Sequence, residues 1–137
     1  MKKYLILLLL SPFVHAQDYQ ILRVIDGDTV VISAPFLPQP LKPELSLRLL
    51  GVDTPEKGSR AKCHQEDDLS NHAMSFVQDK IKNAKTYQVI IKDWDKFGGR
   101  VLGHIIVDNE DLSELLIKNH YAKSYWGQKK ESWCPIN

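Results

Sequence analysis

Three short clusters concentrate the residues able to do chemistry: Asp26-Gly27-Asp28-Thr29, Arg48 through Glu56, and Asp95 through Arg100. Each falls at the end of an apolar run or at a turn, where a rigid scaffold can present side chains to a ligand. Arg48 stands in the otherwise apolar Leu47-Arg48-Leu49-Leu50-Gly51-Val52, and an arginine in such company must be paired or must face a site. Asp53-Thr54-Pro55-Glu56 then supplies two carboxylates three residues apart on a proline-fixed turn. Carboxylates, a carbonyl and water suit a hard cation such as calcium. A metal beside two guanidinium groups makes a phosphate clamp, and a carboxylate outside the metal shell can deprotonate the attacking water. The chemistry these groups suggest is metal-assisted hydrolysis of a phosphodiester. A plainer reading stands beside it: Asp26 and Asp28 form a turn, and Arg48 pairs with Asp53 or Glu56. Spacing alone leaves both open.

The elements that must position these residues are legible from pattern. Tyr19 to Val24, Thr29 to Ser33 and Leu45 to Val52 are predicted strands, separated by the Asp-Gly-Asp turn and by a loop over 34–44 that holds four prolines. From about Glu66, apolar residues at three- and four-residue spacing (Ala73, Phe76, Val77, Ile81, Ala84) predict a helix. Glu66, Asp67 and Asp68 read as solvated charges at its N-terminus, where they suit the dipole. Tyr87 to Lys92 and Arg100 to Val107 flank Gly98-Gly99 as a hairpin. Asp111 and Glu114 resemble a capping box before a short second helix ending near Asn119 or His120. The expected class is α+β, mainly β: a five-stranded OB-type barrel with one main helix after strand 3 and a short second helix.

The 137 residues have room for one domain. Residues 1–16 have the layout of a secretory signal, with Lys2 and Lys3 before the apolar run Tyr4 to Leu10 and a small residue, Ala16, at the expected cleavage site. That run is too short to span a membrane, which takes about 20 apolar residues. Residues 17–137 are then the exported domain, periplasmic or extracellular, with no stable membrane association and monomeric by default. Removing two lysines turns the formal charge of +1 into a slight acidic excess. Phosphate binding must then come from local arginines or a metal rather than a global positive field, which counts against a non-specific nucleic-acid binder. Cys63 and Cys134, an even pair in an exported chain, suggest one disulfide stapling the tail to the middle of the domain. Four scattered histidines, His64, His72, His104 and His120, have no ligand spacing.

Val24-Ile25-Asp26-Gly27-Asp28-Thr29-Val30 and Leu47-Arg48-Leu49-Leu50-Gly51-Val52-Asp53-Thr54-Pro55-Glu56 closely resemble two signature blocks of the staphylococcal nuclease-like family. Asp95-Lys96-Phe97-Gly98-Gly99-Arg100-Val101-Leu102-Gly103 resembles the third block, and the segment from Ser113 to Lys123 is similar to the family's second helix and exit. The resemblance implies a calcium-dependent nuclease acting on DNA and RNA and leaving 3′-phosphate and 5′-hydroxyl ends. It implies calcium ligands in Asp28, Asp53 and the Thr54 carbonyl. Glu56 would orient or activate the attacking water, and Arg48 and Arg100 would hold the phosphate. Two departures fall in the third block: Gly98-Gly99 precedes Arg100 where the commonest form has one glycine, and Phe97 stands where many members carry tyrosine. Tyr125 and Trp126 either stack on a base or pack, and Lys96 either touches phosphate or is a solvated turn lysine. The rival function is a catalytically inactive OB-fold module that binds nucleic acid. A structural or inhibitory export factor is a third reading.

Overall fold

The computed structural model describes residues 19–136. The signal-like residues 1–16 lie outside them, and among the described residues no helix is long and apolar enough to cross a membrane. The architecture is mixed α and β, mainly β, with two α-helices. Strand β1 (Ile21–Asp26) turns through Gly27-Asp28 into β2 (Thr29–Ser33), which pairs antiparallel with β3 (Glu44–Leu49). Strand β3 breaks at Leu50-Gly51, and the two residues of β4 (Val52–Asp53) leave the main sheet. The run expected as one strand over 45–52 is thus two, because Gly51 takes a φ of 82° that a β-strand does not use.

Helix α1 (His64–Asn83) is followed by the hairpin β5 (Tyr87–Trp94) and β6 (Arg100–Val107). The short strand β7 (Glu110–Asp111) leads into α2 (Leu112–Lys118), capped by the Asp111 carboxylate accepting from the Ser113 N–H at 2.8 Å. The main sheet runs β1-β2-β3-β6-β5, with β6 parallel to β3 and antiparallel to β5. The last strand, β8 (Lys123–Ser124), pairs antiparallel with β4 in a separate two-stranded ladder.

Side chains alternate across a strand, and the alternation sorts core from site. Leu45, Leu47 and Leu49 of β3 face inward beside Val101, Ile105 and Val107 of β6, and α1 closes this core with Ala73 and Val77 and α2 with Leu112 and Leu116. The alternate residues Ser46, Arg48 and Arg100 are only partly buried. The parallel register pairs Ser46 with Arg100 and Arg48 with Leu102, which puts both arginines on the same side of neighbouring strands.

Candidate active site

The Gly27-Asp28 turn is pressed into the domain. A Cβ at Gly27 would lie 2.9 Å from Ala73 Cβ and 3.3 Å from the Thr54 side chain, so only glycine lets the turn lie against α1 and the segment after β4. The first chemical cluster thereby meets the second. Asp28 is fixed by its backbone carbonyl, which accepts from the Leu49 N–H at 2.8 Å. Its Oδ1 accepts from the Thr29 hydroxyl at 2.9 Å, and its Oδ2 lies 3.7 Å from Arg48 Nε. Burial and the adjacent Asp26 carboxylate push the Asp28 carboxyl up to about 6, against the pull of Arg48 and Thr29. At Asp28, burial and the neighbouring carboxylate thus outweigh the stabilisation that Arg48 and Thr29 give its charged form.

Arg100 opens β6 directly after Gly99, which has a φ of 78°. Its Nε donates to Asp95 Oδ2, and its guanidinium stands 5.2 Å from the Phe97 ring centroid. The β5–β6 register slips between Ile91 and Asp93. Even with the second glycine in the turn, Arg100 lines the same cleft as Arg48.

Glu56 comes from a loop without regular structure, held by contacts that no local sequence signal announces. Glu66, expected in solvent, is only 4% exposed. Its Oε1 accepts from the Glu56 N–H at 3.2 Å and its Oε2 from the Lys62 N–H at 2.6 Å, while Asp67 accepts from the Gly58 N–H at 2.7 Å. These acids are turned from the helix toward the orphan amides of the loop, a stronger demand than solvation once the loop packs down. Asp68 alone keeps the exposed position expected for all three. Arg60, also unanticipated, lies 3.4 Å from Glu56 Oε2 and 3.7 Å from Asp26 Oδ2.

Asp53 is only 5% exposed, and its partners come from the tail. Trp133 Nε1 donates to its Oδ2 at 3.1 Å, and Lys130 Nζ lies 3.3 Å from its Oδ1. The tail is held there by the Cys63–Cys134 disulfide, as the cysteine pair suggested, and by the Tyr125 N–H donating to the Gly51 carbonyl at 2.9 Å. Trp126 is 72% exposed, with one edge of its ring across Gly51, where a Cβ would lie 2.8 Å away.

Asp28, Arg48, Glu56 and Arg100 line one open cleft of about 530 Å3. Lys96, Phe97 and Tyr125 also border it; Trp126 does not. Asp53 and Thr54 line an adjoining hollow of about 250 Å3 with Trp133, and Glu56 and Lys130 form the wall common to both. Arginines facing carboxylates across an open, polar cleft suit an anionic ester better than an apolar ligand.

Residues 46–133 match the family described as staphylococcal nuclease homologue. A thermonuclease of Staphylococcus hyicus is 30% identical over 110 residues, an alignment that covers 80% of this chain and 60% of that protein. The chain thus spans about three-fifths of the length of that relative. On the family match, which takes in Arg48, Asp53, Glu56, Arg100 and Cys63, this chain belongs to the staphylococcal nuclease homologue family.

Proposed function

We propose that the protein is an exported, calcium-dependent nuclease that hydrolyses phosphodiester bonds of DNA and RNA, leaving 3′-phosphate and 5′-hydroxyl ends, on a five-stranded OB-type barrel. One observation carries the reading: Asp28, Arg48, Glu56 and Arg100, which come from four separate segments of the chain, border one cleft. Family membership supports the nuclease class. The disulfide supports export, since such bonds persist in oxidising compartments.

The donor set fits calcium. Asp28 carries buried charge that Arg48 and Thr29 offset only in part, and Asp53 is a buried carboxylate with an ammonium as one of its partners. Both are places where positive charge is stabilising. Among the described residues no group of three or more acidic, histidine or cysteine side chains gathers on one point. Asp28, Asp53 and the Thr54 carbonyl, the set that the family resemblance implies, would hold the ion with water completing its shell, which calcium accepts. Bound there, it would neutralise charge on the phosphate oxygens.

The chain's own residues supply the rest. Arg48 and Arg100, on neighbouring strands, hold the non-bridging oxygens and stabilise the charge that grows on them as water attacks phosphorus. Glu56, on the wall of the cleft, takes the proton from that water as the bond from phosphorus to the 5′-oxygen breaks, and the departing oxygen gains a proton from solvent to become the 5′-hydroxyl. Phe97 and Tyr125 offer ring faces to the flanking bases, and Lys96 offers charge to a neighbouring phosphate. Trp126, outside the cleft, is assigned to packing on Gly51.

Cleavage of single-stranded DNA by the purified protein tests the reading. The expected result is cutting with calcium, none with a calcium chelator, and fragments bearing 3′-phosphates. A folded protein that binds the strand but leaves it uncut, calcium present, would establish the binding module instead.

A further inference from the structure

The tail reaches Asp53 with two groups of different character. Trp133 presents a neutral N–H, and its ring is fixed by Lys123 Nζ at 4.5 Å and by the disulfide at the next residue. Lys123 also donates to the Ser132 carbonyl at 2.8 Å, so this end of the strap is tied at several points. Lys130 presents a full positive charge on a long stem, 45% exposed, lying against the Tyr125 ring at 5.2 Å. It stands on the wall between the two hollows.

We infer that Lys130 is a built-in competitor for the cation site at Asp53, so that the strap over residues 125–134 sets how tightly the protein takes calcium. The inference rests on the calcium reading above. Each Asp53 oxygen already has one partner, and Lys130 neutralises the carboxylate without a metal. An ammonium and a divalent cation on one carboxylate oxygen repel each other. Calcium must therefore displace Lys130, whose flexible, half-exposed stem can swing aside, whereas the neutral Trp133 N–H can stay and keep the carboxylate oriented. Part of the calcium binding energy is spent on breaking this ion pair.

Calorimetric titration of calcium chloride into the full protein, disulfide intact and without nucleic acid, tests this directly. Lys130→Met keeps the apolar stem against Tyr125 and removes the charge. It should bind calcium about three- to tenfold more tightly than wild type, the size expected for losing a half-exposed ion pair. Lys130→Arg should return to the wild-type affinity. Lys129→Met, which removes an equal charge from an exposed neighbour in the strap, should stay within about twofold of wild type. Unchanged or weaker binding by Lys130→Met, or an equal gain from Lys129→Met, overturns the inference while leaving the calcium reading intact. Calcium binding by Lys130→Met alone would support it in its strongest form. Absence of binding in every variant overturns both.

Discussion

Arg48 and Arg100 reach the cleft from neighbouring strands of the main sheet, whereas Glu56, Asp53 and Lys130 come from a loop, a two-residue strand and the tail. On the strand side, position is set by backbone register: Thr29 opposite Arg48, Ser46 opposite Arg100, and the inward leucines of β3 locking which face is which. A one-residue slip there would expose the whole core stripe, so placement of the arginines is coupled to the stability of the domain. On the other side register is limited to the two-residue pairing of β4 with β8. Glu56 depends on two backbone amides held by Glu66, and the tail on the disulfide, a two-residue ladder and the contacts of Trp133 and Lys130 with Asp53. The two arginines proposed to hold phosphate thus sit with Asp28 on the register-fixed sheet side, whereas Glu56 and Asp53 sit on a segment held by Glu66, a two-residue ladder and the tail.

Removing the disulfide should break the comparison most strongly. Cys63→Ser with Cys134→Ser frees a crosslink spanning 71 residues, and urea denaturation should report a loss of about 4 kcal/mol. In hydrogen exchange under native conditions, residues 54–66 and 123–134 should lose protection while β2, β3 and β6 keep theirs. Uniform loss across both regions would show that the halves are one cooperative unit. A smaller effect is expected from Glu66→Ala, which strands the Glu56 and Lys62 amides. It should cost about 2–3 kcal/mol and lower turnover with little change in DNA affinity, because Arg48 and Arg100 are untouched.

The smallest effect belongs to the strand side. Asp28 holds its proton up to about pH 6 when folded, against 3.8 as its ordinary value. The folded chain therefore binds the extra proton between those values, so stability falls as pH rises through that window and the cost is complete above about pH 6. Calcium-free Asp28→Asn should gain about 1–2 kcal/mol over wild type at pH 7.5 and nothing at about pH 3, as read by denaturation at each pH. Equal differences at both would assign the change to packing instead.

The same division explains what could be read from the sequence. Arg48 in an apolar strand, the Asp-Gly-Asp turn and the alternation of Arg100 to Val107 are local signals, and the structure follows them closely. Helix α1 begins at His64, two residues before its expected start, because the Cys63 side chain accepts from the Glu66 N–H and caps it. The role of Glu66 was not legible: an acid at a helix N-terminus is satisfied by the dipole alone, and its partner amides lie as far as ten residues away. The two cysteines announced that the tail returns to the middle of the domain. Nothing in the tail's composition says that Trp133 and Lys130 land on Asp53, since β4 and β8 are too short to show a period.

Glu56 is the group proposed to activate water. Single-turnover cleavage of single-stranded DNA in saturating calcium, with Glu56→Gln beside wild type, measures that step most directly. The expected result is a folded variant with near wild-type DNA affinity and a cleavage rate lower by about 10² to 10⁴. A Glu56→Gln protein that cuts at the wild-type rate would show that Glu56 does not activate the water.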